Sequence, residues 1–255
     1  MNTLDSTTAS LTSDTVGPPG MPMLGVSGLH AFYGQAHILF DVALQVRAGE
    51  VVVLLGRNGA GKSTTLKSIC GLVRPREGKV RFQGRDIERL APFEIARLGL
   101  GYVPEERRIF TELTVLENLE VGRQSVRPGV PHWDFARIGR LFPNLAEMPD
   151  RPGGRMSGGE QQMLTIARTL MGNPACILLD EPSEGVAPVI VDQMAAAIIE
   201  LKRQGVAVLL SEQNLHFAQQ VGDRAYIIEK GRIRFDGTMA ELQANDEVRA
   251  QYLAV

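Results

Sequence analysis

The stretch Val51 to Thr64, VVVLLGRNGAGKST, limits this chain more than any other. An apolar run this short and this rich in β-branched residues reads as a buried strand of a parallel sheet. It runs straight into Gly56-Arg57-Asn58-Gly59-Ala60-Gly61-Lys62-Ser63-Thr64, followed by the helix-forming TLKSICGLV. Gly, four residues, then Gly-Lys-Ser, between a strand and a helix, is the P-loop pattern in the context the motif requires. Its glycines let successive backbone N–H groups point inward, and the helix N-terminus adds partial positive charge, so a polyphosphate is cradled. Lys62 is placed to reach the β- and γ-phosphates, and the Ser63 hydroxyl to ligate Mg²⁺. A glycine-rich turn with an incidental lysine is the bland alternative, and nine residues in register stand against it. Gly71 is placed to end the helix as a left-handed cap.

Two further apolar runs, Cys176 to Leu179 and Val206 to Leu210, have the same buried-strand character, and helical segments separate them. That alternation predicts right-handed crossovers and a parallel sheet, in which ligands gather at the carboxyl ends of the strands. The first run ends in Asp180-Glu181-Pro182. Alone, such a pair reads as a solvated turn. Beside a P-loop, Asp180 is expected in the Mg²⁺ shell and Glu181 as the group that polarises the attacking water. The other run ends in Glu212-Gln213-Asn214, a polar edge expected to border the same site.

Alternating segments at Leu24 to Phe32, Val42 to Val46 and about Lys79 to Phe82 predict an antiparallel sheet early in the chain. Ala225 to Ile228 and Ile233 to Phe235 read as a hairpin closing around Glu229 to Arg232. From about Arg108 to Arg155, helical patches such as TVLENLEVGR are broken by Pro- and Gly-containing stretches. With the start of the next helix they predict an inserted helical lobe over about 108–165. A core of residues 23–240 is followed by a helical tail over 241–255. Residues 1–22, rich in Thr, Ser, Gly and Pro, read as a disordered extension without the basic and apolar regions of a signal peptide.

With 255 residues and 44% hydrophobic content, one substantial core is possible. Lys plus Arg number 27 against 29 Asp plus Glu, so no net field draws nucleic acid or an anionic membrane. No apolar run approaches the ~18 residues of a membrane helix, and the chain reads as soluble by itself. Cys70 and Cys176 lack metal-ligand spacing and read as buried, inert thiols of a reducing compartment.

A third motif, Arg155-Met156-Ser157-Gly158-Gly159-Glu160-Gln161-Gln162, opens the helix QQMLTIARTLM. Ser157 and Glu160 have capping-box spacing, which by itself describes a good helix start. The two glycines leave bare N–H groups in the first turn, available to an anion from another molecule.

Together GRNGAGKST, MSGGEQQ and ILLDEP, in that order, resemble the nucleotide-binding subunit of an ABC transporter, and the resemblance covers roughly Leu24 to Gly237. It implies an α/β P-loop NTPase cassette: a RecA-like parallel core, an antiparallel β subdomain and the inserted helical lobe. It implies ATP and Mg²⁺, and a head-to-tail dimer in which Ser157, Gly158 and Gly159 serve the partner's nucleotide. Tyr33 corresponds to the aromatic that stacks on adenine, with a packed strand tyrosine as the alternative. Ser183 to Pro188 corresponds to the loop that couples the two sites. Two positions depart from the family pattern. Glu105 stands where a glutamine is usual; it still offers Mg²⁺ an oxygen but adds negative charge near the γ-phosphate. Gln213 stands where a histidine usually meets the γ-phosphate; it can donate a hydrogen bond yet cannot become cationic. His216 as a substitute is less simple than a helix-surface histidine.

The Glu212-Gln213-Asn214 edge, with YVPEERRIF and EPSEGVAP, is similar to the second of two ATPase subunits in branched-chain amino acid importers, with urea and amide systems as near relatives. That resemblance implies membrane permease subunits, a second ATP-binding subunit (in a heterodimer, or a homodimer in isolation), indirectly a solute-binding protein, no nucleic acid, and a peripheral place on the cytoplasmic face of the inner membrane. The stretch ERRIFTELTVLENL would face the permease, although Arg107 and Arg108 read more simply as a solvated basic pair. A soluble ABC-type ATPase acting on DNA or ribosomes would call for paired cassettes, heptads or basic tracts. A P-loop kinase or GTPase has no use for SGGEQQ.

Overall fold

The computed structural model describes residues 21–253. It opens with an antiparallel pair, β1 (Leu24–Tyr33) and β2 (Ala36–Val46), and passes through β3 (Val51–Leu55) into helix α1 (Lys62–Ile69). Then come β4 (Glu77–Phe82), the short β5 (Arg85–Asp86), α2 (Pro92–Leu98) and β6 (Leu100–Val103). Helices α3 (Val115–Gly122), α4 (Phe135–Leu141) and α5 (Pro143–Ala146), with a 3-10 turn at Gly153–Arg155, lead to α6 (Gly158–Leu170). The chain continues through β7 (Cys176–Asp180), α7 (Pro188–Arg203), β8 (Ala207–Glu212), α8 (Leu215–Val221), β9 (Arg224–Glu229) and β10 (Arg232–Thr238). It closes with α9 (Met239–Ala244) and α10 (Asp246–Tyr252). The disorder expected for residues 1–22 lies outside the described residues except at Met21 and Pro22.

Two sheets result. One is antiparallel, in the order β2-β1-β4-β5; the other is β10-β9-β3-β8-β7-β6. In the second, β3 pairs parallel with both β8 and β9, and β7 pairs parallel with both β8 and β6. Every residue of β3, β7 and β8 is buried, the mark of strands covered on both faces. The alternation of side chains sorts those strands between two cores. Val51, Val53, Leu55, Ile177, Leu179, Val208 and Leu210 face one core, with residues of α6, α7 and α8. Val52, Leu54, Cys176, Leu178, Ala207 and Leu209 face the other, with α1 and the antiparallel sheet. Both cysteines lie in that second core, where burial pushes the Cys70 thiol up to about 12 and the Cys176 thiol also upward.

The β9–β10 hairpin read from sequence forms, and it extends the core sheet: Val52 to Leu55 pair with Arg224 to Ile227. The opposite edge is β6, a strand that periodicity does not announce. The C-terminal helices begin at Met239, capped by Thr238 and Glu241, two residues ahead of the tail drawn from sequence. Helix α1 ends at Gly71 (φ +77), where Gly71 N and Leu72 N donate to Ser68 O and Lys67 O.

The hairpin turn also locks the P-loop to the antiparallel sheet. Gly231 N donates to Ala60 O and its carbonyl accepts from Phe40 N, each at 2.8 Å. Gly231 has φ +74, and a Cβ there would lie 1.8 Å from Ile38 O, which is backbone and cannot yield. Gly231→Ala should therefore cost about 2–4 kcal/mol of stability, read as a lowered urea midpoint in circular dichroism.

Candidate nucleotide site

The P-loop strand delivers Gly56 to Gly61 onto the first turn of α1, and the backbone ties itself down locally. Ala60 N donates to Arg57 O and Thr65 N to Gly61 O. Lys62 is 3% exposed, which obliges its ammonium to find acceptors. Its Nζ donates to Gly56 O at 2.7 Å and Arg57 O at 3.1 Å, and lies 3.1 Å from Glu181 Oε1.

Asp180 ends β7, fully buried. Its Oδ1 accepts from Ser63 Oγ at 3.0 Å and from Ser211 Oγ at 2.7 Å, and its Oδ2 accepts from the Tyr102 hydroxyl at 3.0 Å. Ser63 is thus joined to the carboxylate as the sequence suggests, while Ser211 and Tyr102 are partners that sequence reasoning missed. The one signal for Ser211 is a hydroxyl inside an otherwise apolar strand. Burial, then the charge of Asp180 and its hydrogen bond, push the Tyr102 phenol well above its ordinary range, so it stays a donor.

Glu181, one residue on, sits in the left-handed region at φ +46, a strained conformation for a residue with a side chain. Its N–H is shared between Ser211 O and Ser211 Oγ, both at 3.1 Å, which pins the strained residue to β8. Gln213 Nε2 then donates to Glu181 Oε2 at 2.6 Å and to Asn58 Oδ1 at 2.7 Å. Of the polar edge after β8, Gln213 alone makes these contacts. Glu212 is the last strand residue, 2% exposed, and its carboxylate accepts from the backbone N–H groups of Ser183, Gln213 and Asn214. Asn214 is the N-cap of α8, accepting from Phe217 N. His216 is exposed on that helix beside Gln220, as the simpler reading has it.

More carboxylates stand nearby. Burial, then the charges of Glu181 and Asp180, raise Glu105 above the usual carboxylate range. Glu184 is raised by its hydrogen bond to Glu181, by burial and by that group's charge. Tyr33 ends β1 with 49% of its surface exposed, an open aromatic face. Ser157 caps α6 in the capping box read from sequence, its N–H donating to Glu160 Oε2 at 2.6 Å. Among the described residues no hydrogen bond or ion pair joins Ser157, Gly158 or Gly159 to the P-loop. The reading of Arg107 as merely solvated does not hold. A Cβ on Gly158 would lie 2.6 Å from Arg107 Nη1, so the guanidinium lies against the first turn of α6.

The family model described as ABC transporter matches residues 39–184, and 231 residues are 43% identical to the high-affinity branched-chain amino acid transport ATP-binding protein BraG of Pseudomonas aeruginosa, over 91% of this chain and 99% of that one. The chain belongs to the ABC transporter family. It is also 37% identical over 235 residues to the lipopolysaccharide export system ATP-binding protein LptB of Haemophilus influenzae, covering 91% and 98% of the two chains. Its structure is similar to the ADP conformation of MJ1267, an ATP-binding cassette of an ABC transporter, with a TM-score of 0.75, 29% identity and coverage of 88% and 94%. The protein is thus an ABC-type ATPase.

The site of this ABC cassette fits Mg²⁺ by its donors. Ser63, Asp180 and Glu105 offer hard oxygens, and among the described residues no group of three His, Cys, Asp or Glu is placed to hold a metal by itself. That suits an ion bound by one or two carboxylates together with substrate phosphates. The Gln213 geometry yields a kinetic expectation. Gln213→Ala should lower kcat about tenfold, or about 1.4 kcal/mol, since it frees one oxygen of Glu181, and should leave ATP affinity within about twofold. Steady-state ATPase rates with a fluorescent-ATP titration check both.

Proposed function

We propose that this chain is the ATP-hydrolysing subunit of a bacterial importer for branched-chain or other hydrophobic amino acids, acting on the cytoplasmic face of the membrane. The observation that carries the solute class is the end-to-end similarity to BraG, and the Glu212-Gln213-Asn214 edge supports the same branch. No described helix is long and apolar enough to cross a membrane.

Catalysis is mainly positioning and electrostatics. The P-loop amides of Gly56 to Thr64 and Lys62 hold the phosphates, and Tyr33 stacks on adenine. Mg²⁺, when bound, would supply positive charge against the negative charge that develops on the phosphates. Ser63 and Asp180 would hold that ion, with Glu105 as a further oxygen donor. Glu181 accepts a proton from the attacking water, aimed by Gln213 on Oε2, while Lys62, which holds Oε1 before nucleotide binds, turns to the phosphates. Ser157, Gly158 and Gly159 present the α6 N-terminus to the nucleotide of a second ATP-binding subunit in a head-to-tail dimer.

A groove of about 590 Å³ supports docking of a permease. It lies between α2, β6 and α6, its rim set by the exposed Leu72, Phe93, Phe110 and Val121. Phe110 belongs to the stretch the resemblance turns toward the membrane subunits. Arg168, under Phe110 with its Cζ 5.1 Å from the ring centroid, has a buried Nη1 with no hydrogen-bond partner. An incoming segment with apolar side chains and an acceptor would complete both.

Two outcomes test the proposal. Glu181→Gln should lower turnover by about 10²–10⁴ while ATP stays bound, measured as retained nucleotide after gel filtration; normal turnover sinks the role. With its membrane subunits and binding protein in vesicles, the chain should drive leucine uptake. Stimulation by lipopolysaccharide, or by urea and short amides, would assign it to the other transport classes.

A further inference from the structure

Tyr102 belongs to both the groove and the catalytic site. Its Cα is in register with Leu178 on β7, so Asp180 lies two residues, about 6.6 Å, further along the same face of the sheet. Tyr102 spans that interval: it lines the groove, and its hydroxyl reaches Asp180 Oδ2 at 3.0 Å. The other oxygen, Oδ1, is taken by Ser63 and Ser211, which belong to the P-loop helix and β8. Among the three hydroxyl partners of Asp180, Tyr102 is therefore the one that lines the groove. It also sits three residues before Glu105, which lies in the turn that follows β6.

We propose that Tyr102 is a positioning residue that ties occupancy of the groove to the orientation of the Asp180 carboxylate. The inference rests on the reading of the groove as the seat of a membrane subunit. A segment pressed into it bears on the ring, and the ring moves the hydroxyl that holds Oδ2. With the hydroxyl in place, Oδ2 is held by Tyr102 and Oδ1 by Ser63 and Ser211. When it shifts, the carboxylate turns about its two Oδ1 bonds. Such outer partners of metal-facing carboxylates commonly set metal affinity by about 10–100-fold.

Tyr102→Phe keeps the ring and removes the hydroxyl, so the fold and the groove are retained. Two measurements on the full chain decide the matter. The first is the gain in affinity for a fluorescent ATP analogue on adding Mg²⁺, read on the chain alone. Tyr102→Phe should cut that gain about tenfold while binding without Mg²⁺ stays at the wild-type level; a gain within twofold of wild type overturns the positioning role. The second is the ratio of ATPase rates with and without the membrane subunits. It should fall toward one in Tyr102→Phe, and a ratio equal to wild type overturns the link to the groove. If the wild-type chain itself gains nothing from membrane subunits, the transporter reading fails and takes the groove link with it. The Mg²⁺ titration still decides whether Tyr102 positions Asp180.

Discussion

The Asp180 carboxylate, fully out of water, is the contact on which the rest of the site depends. A buried charge of this kind costs several kcal/mol unless it is hydrogen-bonded, and here three hydroxyls satisfy it. Those hydroxyls come from three other elements: Ser63 from α1, Ser211 from β8 and Tyr102 from β6. They converge because the sheet order places β3, β8, β7 and β6 side by side, with carboxyl ends on one edge. A slip of one residue in any of these strands would turn a hydroxyl to the other face and leave the charge unpaired. Catalytic geometry and sheet register are thus one constraint.

The same dependence explains what could be read from the chain alone. Local patterns carry the P-loop, the Asp180-Glu181 pair, the capping box at Ser157 and the strands β3, β7 and β8, since each is complete within a few consecutive residues. Strand β6 is four residues, Leu-Gly-Tyr-Val, whose extended state comes from pairing with β7, so its own periodicity says little. The place of β9 beside β3 is likewise non-local, joining residues about 170 positions apart. Ser211 and Tyr102 went unseen for that reason: their importance lies in a partner on another strand. Glu212 misled in the opposite way. As a carboxylate at a strand end it looks like a site residue, yet three backbone N–H groups consume it.

The exchange of a titratable ring for an amide at position 213 gains sense from the same geometry. A histidine places its two nitrogens on opposite edges of a ring, whereas the Gln213 amide has both hydrogens on one nitrogen. It spends them on Glu181 and Asn58, joining the β8 edge to the P-loop without a charge that depends on pH. Glu181 is then gripped on both oxygens, by Lys62 and by Gln213.

Those two grips do not survive substrate equally. Lys62 is also the residue that must meet the phosphates, and its three donors are spent on Gly56, Arg57 and Glu181. In the proposed mechanism, a triphosphate, which carries more negative charge than one carboxylate, draws the ammonium away. Glu181 then keeps Gln213 on Oε2, its backbone tie to Ser211, and the repulsion of Glu105 and Glu184 beside it. The amide keeps the carboxylate aimed after the cation has left it. In the proposed mechanism, binding of substrate thereby releases an ion-paired glutamate to the attacking water.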